Sequence, residues 1–495
     1  MQPRWTLITG GNVIDGASDQ PRQATDVLVR NDRIYAVGAE ANRDNVPRGD
    51  PLQVIDAGGR SVMPGLIDAH CHMTYGESRT QEEQDLYTSV EARTLRAAWN
   101  SRKVLRAGVT AISQPGGSYY IGVAIRDAIK DGMLPGPRMT TAGRYITTSN
   151  SLTDWYPEPV GVPDSSIGTL ANTIPDMVDQ VRRQVKNGVD LIKLADSPYG
   201  EYQAFSGEEL KAIADLAHRL NRKVTIHARG SAEVSAAVAA GLDWIMHGNV
   251  MTDQTIAELA ESRIPLVPTL LLLANIADYG HLAGAPQQAS DNCRRMLDKT
   301  ADSLHRAHAA GVTMVVGTDT GFATTPYGEW HARELELLMT YAGLSAAEAI
   351  SAATVNAAPM LNLAGQIGEI RAGCLADIIV VAGDPTKDIR VLQDPANIQV
   401  VMKGGTVVGF DYDRPISSWP HERSRVQATA ELTRALVYDG ESAVPDNLPW
   451  AEEEARDLFA DLSRAGRAAQ AETAEEAAAV APLDEPYHER QARSC

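Results

Sequence analysis

From residue 61 onward, two hydrophobic patterns alternate along the chain. Short apolar runs with strand-like composition recur eight times, and between several of them apolar positions repeat every three or four residues. The runs cover residues 61–72, 108–117, 137–146, 189–197, 223–230, 242–249, 264–273 and 312–321. The helical stretches include residues 174–188, 206–221, 231–241 and 252–263. Eight strands alternating with helices predict an α/β protein built on a (β/α)8 TIM barrel.

Two strand-rich flanks surround the predicted barrel. Residues 1–62 and 366–410 hold short apolar runs separated by turn residues, and we predict that they pair into one small β-sandwich domain. The barrel domain then spans residues 63–365. Residues 411–495 are rich in Ala, Glu and Arg, which predicts a C-terminal extension that is helical or partly disordered. Such an extension either wraps a neighbouring subunit or is inert.

The amino-acid composition and net charge argue against some classes of binding partner. The formal charge of −19 over 495 residues argues against nucleic acid, which needs concentrated Lys and Arg, and against anionic membranes. No apolar run is long enough to span a bilayer, and no secretory signal is visible at the start. The four cysteines are scattered, which indicates reduced thiols. We therefore predict a cytoplasmic protein that acts on a small molecule.

The first apolar run ends on two histidines, His70 and His72. Side chains alternate faces along a strand, so both imidazoles point the same way and can bind one metal ion. Imidazole nitrogen suits zinc and neighbouring first-row metals. Cys71, between them, points away and is predicted to pack in the core.

Four more polar side chains stand near the ends of later runs. Lys193 follows the fourth strand, His227 the fifth, His247 the sixth and Asp319 the eighth. In a (β/α)8 barrel the carboxyl ends of all strands meet at one rim, where active sites lie. The sequence therefore predicts that these four groups converge with the histidine pair.

The motifs that carry these residues, taken in order, resemble the amidohydrolase superfamily in its imidazolonepropionase-like branch. They are residues 64–72, 190–197, 224–230, 245–249 and 315–321. The loops at 78–87, 116–129 and 149–157 look most like those of bacterial phenylurea and thiocarbamate herbicide hydrolases. Prolidase-like carboxydipeptidases and ochratoxin-degrading amidases are more distant in this comparison. The herbicide group carries Asn where this chain has His70, and the intact pair favours a full two-metal site.

The resemblance implies two divalent metal ions, with zinc favoured and cobalt, manganese or iron as alternatives. One ion would lie on His70, His72 and Asp319, and the other on His227 and His247. Lys193 would bridge them as a CO2-derived carbamate, because an ammonium group has no lone pair for a metal.

In the catalytic scheme that the resemblance implies, a metal-bridging hydroxide attacks the carbonyl, and Asp319 carries the proton to the leaving nitrogen. Lys193 and His247 complete the catalytic set. Relatives also imply a homo-oligomer.

The leading substrate hypothesis is an aryl urea, carbamate or anilide, hydrolysed at an amide-type carbon–nitrogen bond. The runner-up is a prolidase-like dipeptidase or an ochratoxin-type amidase, with Arg229 or Arg144 holding a terminal carboxylate. A structural ion pair is an equal interpretation of Arg229. Aromatic side chains after the predicted strands either line a pocket or pack under loops. They are Tyr119, Tyr120, Trp155, Tyr199, Tyr202 and Tyr327.

A deaminase and a non-catalytic scaffold are two further classes of protein to compare with this sequence. A deaminase of this superfamily lacks the strand-four lysine, so Lys193 counts against that activity. A scaffold that had lost its metals would lack several of the ligands that are complete here.

Overall fold

The computed structural model describes residues 3–409 and 432–439, so the predicted extension at 411–495 lies outside the described residues apart from that short segment. The strands are β1 Trp5–Val13, β2 Arg22–Arg30, β3 Arg33–Val37, β4 Leu52–Asp56, β5 Ser61–Pro64, β6 Leu66–Asp68, β7 Val109–Gln114, β8 Arg138–Thr141, β9 Tyr145–Thr147, β10 Gly168–Leu170, β11 Leu191–Ala195, β12 Lys223–Gly230, β13 Trp244–Val250, β14 Leu266–Val267, β15 Ile378–Val381, β16 Ile398–Lys403 and β17 Thr406–Val407. The α-helices are α1 Val90–Arg106, α2 Ile121–Lys130, α3 Ile174–Lys186, α4 Gly207–Arg219, α5 Ser231–Ala240, α6 Asp253–Ser262, α7 Leu271–Tyr279, α8 Gln287–Ala309, α9 Arg333–Ala342 and α10 Ala346–Ala352.

The two flanks of the chain share one sheet. Its strand order is β17-β16-β15-β5-β1-β2-β3, and β4 pairs with β1. Strand β5 is the junction, parallel to β1 on one side and antiparallel to β15 on the other. Strands of both flanks therefore lie in a single eight-stranded sheet, and the β-sandwich domain stays a prediction. Strand β5 itself spans the predicted domain boundary at residue 62.

The central strands form two parallel sheets covered by helices. One sheet has the order β6-β7-β8, and the other has the order β10-β9-β11-β12-β13-β14. Helices α3 to α6 connect strands of the second sheet and bury apolar faces against it, with Val181, Leu216, Val234 and Leu259 fully or almost fully buried. Among the described residues, no helix is both long and apolar enough to cross a bilayer.

Segment 313–320, where an eighth strand is predicted, bonds to both neighbouring strands without forming a regular ladder. Val315 donates to the carbonyl of Leu266 on β14, and Ala69 donates to the carbonyl of Val316. The N–H of Val316 donates instead to the carbonyl of Ala352 at the end of α10. Because this bond replaces a strand partner, the segment pairs only at isolated positions.

Two other predicted strands differ from the structure. The run 137–146 contains two short strands, β8 and β9, with a break at residues 142–144. The run 264–273 contains only the two residues of β14, and helix α7 begins at Leu271. The buried carboxylate of Glu334 accepts the N–H groups of Leu270 and Leu271, which satisfies backbone donors that a helix start leaves unpaired.

Candidate metal centre

The structure brings the predicted histidines and Asp319 together in the interior. His72 Nε2 lies 3.1 Å and His70 Nε2 lies 3.4 Å from Asp319 Oδ1. The ring centroids of His70 and His247 are 5.4 Å apart, and those of His227 and His247 are 4.3 Å apart. Strands β12 and β13 place the last two histidines side by side, since His247 pairs with Ala228, the residue after His227. All of these side chains are buried.

The ring of His72 has an assignable tautomer. Its Nδ1 lies 2.8 Å from the carbonyl oxygen of Gly116, which can only accept, so Nδ1 carries the hydrogen. In the neutral ring Nε2 then has the lone pair, and it lies 3.1 Å from Asp319 Oδ1.

The ring of His70 is fixed in the same sense. The hydroxyl of Thr269 donates to the carbonyl of Val267 at 3.2 Å, and its oxygen lies 3.0 Å from His70 Nδ1. Nδ1 is then the donor, and Nε2 presents its lone pair to Asp319.

Three atoms that can bind a metal ion thus converge: the Nε2 atoms of His70 and His72 and an oxygen of Asp319. A metal ion bound among them would be attracted by the Asp319 carboxylate. Ligand atoms of His70, His247 and Asp319 also lie within 4.8 Å of one another. Since nitrogen and carboxylate donors are those that zinc-type ions take, these residues could hold a divalent metal ion.

The other two histidines leave ring nitrogens unpaired. His227 Nε2 and His247 Nδ1 are buried and have no hydrogen-bond partner among the described residues. Burial lowers the pKa of His70, His227 and His247 well below the usual value, so the neutral form that binds metal dominates. Burial would raise the pKa of Asp319, but the neighbouring His70 and His72 hold it below its ordinary value.

Lys193 is the most deeply buried charged group of this centre. It is 0% exposed, and no carboxylate lies within ion-pair distance of its Nζ in the described part of the chain. Its nearest polar contact is Met246 Sδ at 2.7 Å. Burial lowers the pKa of Lys193 to about 7, so a substantial share of this amine is neutral near pH 7.

Unusual backbone geometry accompanies the centre. His247, Thr269 and Asp319 have φ values of 79°, 57° and 56°, in the left-handed region that non-glycine residues rarely adopt. Each such residue costs roughly 1–3 kcal/mol and persists where the surroundings enforce it, which is common at functional sites. Gly317 lets two segments approach closely, because a Cβ there would lie 2.7 Å from His70 Cβ and 2.3 Å from a methyl group of Val267.

Arg229 lies two residues after His227 on β12 and is largely buried. Its Nη1 donates to the side-chain oxygen of Asn249 at 2.6 Å, while its Nε has no hydrogen-bond partner in the described structure. No carboxylate of the described residues forms an ion pair with it. The structure therefore gives no support for the interpretation of Arg229 as half of a structural ion pair.

Arg144 has a different environment. Its guanidinium donates to the carbonyl oxygens of Ser166 and Pro163 at 3.0 and 2.8 Å, and Asp164 lies 3.9 Å away. These contacts hold the loop before β10, so carboxylate binding by Arg144 stays a prediction.

The predicted aromatic residues occupy several environments. The hydroxyl of Tyr327 donates to the backbone carbonyl of His72, and the indole of Trp155 donates to Asp85 at 3.1 Å. Tyr199 is 67% exposed, and Tyr202 donates to the carbonyl of Asn150 at 2.6 Å. Tyr119 and Tyr120 are half-buried at the start of α2. Contact of any of these residues with substrate remains a prediction.

Two residues that the sequence analysis did not select also belong to the centre. The hydroxyl of Tyr145 lies 3.2 Å from His72 Nε2, and Asp68 accepts the N–H of His70 at 3.0 Å. Tyr145 is the penultimate residue of the third predicted run and could have been found by the same strand-end rule. Asp68 also binds His331 Nδ1 at 2.8 Å, which gives that histidine a structural partner.

A ring of buried nitrogen and carboxylate ligands at the ends of parallel strands is typical of metal-dependent hydrolases with α/β architecture. Residues 61–408 match the model of the Amidohydrolase family, and the chain belongs to that family. The resemblance noted from the motifs is therefore confirmed.

Known proteins similar to this chain include an ochratoxinase and a dipeptidase. Ochratoxinase from Aspergillus niger is 30% identical over 435 residues, which cover 81% of this chain and 86% of the relative. A Xaa-Pro dipeptidase, solved with methionine in its active site, is 28% identical with a TM-score of 0.70, covering 82% of this chain and 99% of the other.

The expected herbicide-hydrolase likeness is present at lower identity. Phenylurea hydrolase B is 22% identical with a TM-score of 0.62, covering 82% of this chain and 96% of the other. At that identity the likeness shows the fold alone. Together the structural neighbours imply a TIM-barrel fold of α/β character.

Proposed function

We propose that this protein hydrolyses the amide bond of a small molecule that carries a carboxylate beside that bond, as an N-acyl amino acid does. Family membership and the converging acceptor atoms support metal-dependent amide hydrolysis. Ochratoxinase at 30% identity and the Xaa-Pro dipeptidase at 28% support an amide of an amino acid over the aryl urea that the loops suggested.

The chain offers ligands for two divalent ions. His70, His72 and Asp319 would hold one, and His227 and His247 the other. When bound, such ions polarise a carbonyl group and lower the pKa of a water molecule from 15.7 to roughly 7.

Lys193 would complete the ligand set as a carbamate. A neutral lysine amine adds to CO2, forming an N–C bond and releasing one proton, and the product carries an anionic carboxylate. The burial of Lys193 without an ion-pair partner in the described residues supports this reaction, because the anionic product would balance nearby cations.

Asp319 would move the proton. Its carboxylate accepts a proton from the attacking water and delivers it to the amide nitrogen as the carbon–nitrogen bond breaks. General acid–base help of this kind is worth about 10²–10⁴ in rate.

The proposed substrate class rests mainly on the environment of Arg229. A buried guanidinium has five N–H donors and strongly favours an anionic partner, yet the described chain supplies no ion pair for it. Arg229 follows His227 on the same face of β12, so a carboxylate bound there would sit beside the reacting amide.

The test compares three substrates with zinc- or cobalt-loaded protein. N-benzoyl-L-phenylalanine has the carboxylate, N-(2-phenylethyl)benzamide lacks it, and N,N-dimethyl-N′-phenylurea represents the aryl ureas. We expect the first to be hydrolysed at least about 100-fold more efficiently than the second, since loss of a charged, desolvated contact is worth about 2–5 kcal/mol.

Substitutions of two arginines test whether Arg229 is responsible for the substrate preference. Arg229→Met should remove most of the preference for N-benzoyl-L-phenylalanine. Arg222→Met is the matched control, because Arg222 precedes the opposite end of β12 and donates to the carbonyl of Val189 at 2.6 Å. Preferential cleavage of the phenylurea, unaffected by Arg229→Met, would refute the proposed substrate class in favour of the aryl urea.

A further inference from the structure

The hydroxyl of Tyr145 lies inside the candidate metal centre, and no catalytic step proposed above involves it. Tyr145 begins β9 and is 3% exposed. Its hydroxyl oxygen is 3.2 Å from His72 Nε2 and 2.7 Å from the hydroxyl oxygen of Tyr75. Its ring centroid lies 5.6 Å from Lys193 Nζ. Tyr145 is therefore close both to the histidine pair and to the lysine predicted to bridge the ions.

The direction of these hydrogen bonds follows from the tautomer of His72. When the ring of His72 is neutral, Nδ1 donates to Gly116 and Nε2 has only a lone pair, so Tyr145 is the donor between them. Tyr75 is then the donor to the oxygen of Tyr145. The ring of Tyr75 stacks on His72 with centroids 4.1 Å apart and planes inclined by 6°, which fixes its hydroxyl in place.

The lone pair on His72 Nε2 can bind a metal ion or accept the hydroxyl hydrogen of Tyr145, but not both at once. A cation on His72 Nε2 would take the lone pair that Tyr145 now uses, and the buried O–H of Tyr145 would then donate to Tyr75, 2.7 Å away, or to an acceptor on a bound substrate. The carbonyl oxygen of a bound amide is the acceptor that arrives with the substrate.

We propose that Tyr145 is a catalytic residue whose hydroxyl donates a hydrogen bond to the carbonyl oxygen of the scissile amide as negative charge develops there. Tyr75 is the positioning residue that orients this hydroxyl. This inference rests on the amide hydrolysis proposed above. A donor preorganised for a developing oxyanion acts without reorganisation in a water-excluded site, so it stabilises the transition state more than the bound substrate.

The first experiment measures turnover of N-benzoyl-L-phenylalanine. For Tyr145→Phe we expect kcat to fall about 10²–10³-fold with KM nearly unchanged, as for loss of one oxyanion donor. Tyr75→Phe should lower kcat by less, about 10-fold, since the donor itself remains. Tyr341→Phe, at a half-buried tyrosine on α9, is the control and should leave turnover unchanged.

The second experiment measures binding without turnover. N-(methylphosphonyl)-L-phenylalanine mimics the tetrahedral transition state, and its Kd should rise at least about 10-fold in Tyr145→Phe. The Kd of L-phenylalanine, which lacks the tetrahedral oxygens, should not change. Zinc should bind Tyr145→Phe at least as tightly as it binds the wild type, because the competing hydroxyl is gone. A merely structural Tyr145 would instead weaken zinc binding on removal.

Wild-type kcat in Tyr145→Phe, or a loss of zinc affinity in that variant, would overturn the role of Tyr145. Failure of the wild-type protein to hydrolyse any acyl amino acid would instead refute the proposed substrate class. The zinc titration separates the two cases, since it requires no substrate.

Discussion

Asp68 accepts both the backbone N–H and the hydroxyl of Thr318, at 3.1 and 2.5 Å. The same carboxylate accepts the N–H of His70 at 3.0 Å. One buried side chain therefore ties the segment that carries the histidine pair to the segment that carries Asp319, although 250 positions separate Asp68 from Thr318.

Asp68→Ala should weaken both folding and metal binding. It leaves buried donors of His70, Thr318 and His331 without an acceptor, and each costs about 1–3 kcal/mol. Loss of such an outer contact typically lowers metal affinity about 10–100-fold. Urea unfolding and zinc titration measure the two effects. Asp215→Ala, at an exposed residue of α4, is the control, and equal behaviour of the two variants would contradict the prediction.

Asp319→Asn should separate metal binding from turnover. The amide keeps an oxygen for the ion but cannot accept the proton, so we expect much of the metal to remain while kcat falls about 10²–10⁴-fold. Metal content by mass spectrometry and steady-state rates measure the two quantities. Wild-type turnover would exclude Asp319 from proton transfer.

Lys193→Ala should lose metal and activity together. A small carboxylic acid such as propionic acid should restore part of both, because its carboxylate can occupy the place of the proposed carbamate. Lys186→Ala, at an exposed lysine of α3, is the control and should keep both. Full metal occupancy and activity in Lys193→Ala without added acid would show that no bridge exists.

Gly317→Ala should destabilise the centre sterically. The new methyl group would lie 2.3 Å from Val267 and 2.7 Å from His70, so the segments must move apart at a cost of about 1–3 kcal/mol. We expect lower unfolding free energy and weaker zinc binding. Gly207→Ala adds a methyl group with no heavy atom within 4 Å and should not destabilise the protein. Equal stability and zinc affinity of the two variants would contradict the prediction.

Asp85 should make stability depend on pH. It accepts from Ser166, Trp155 and Ile167, and burial raises its pKa from 3.8 to about 6. The folded protein then holds a proton that the unfolded chain has released, so the Asp85 contribution to stability is full below pH 3.8 and is lost as pH rises through about 6. This difference in pKa corresponds to about 3 kcal/mol.

Urea unfolding at pH 4 and pH 7 tests this assignment. The stability of the wild type relative to Asp85→Asn should fall between these values by up to about 3 kcal/mol. Asp164→Asn, in the loop that Asp85 contacts and fully exposed, should show no such trend. A constant difference between wild type and Asp85→Asn would contradict the raised pKa.

The alternation of apolar runs and helical stretches was enough to predict the α/β class and strands of both flanks in one sheet. It also selected six side chains whose role as metal ligands stays a prediction. These features are local or follow from a simple rule, since the ends of parallel strands meet at one edge. Only the tertiary structure showed that segment 313–320 pairs irregularly, because the competing acceptor, Ala352, comes from a distant helix.

The positions of polar residues at predicted strand ends were enough to predict which residue types lie near the centre. Strand β6 ends at Asp68, so His70 and His72 follow the strand and their direction is set by the tertiary structure. The tertiary structure decided how they are held. Asp68 and Tyr145 act through hydrogen bonds to residues far away in the chain, and such bonds depend on distances that no local pattern encodes.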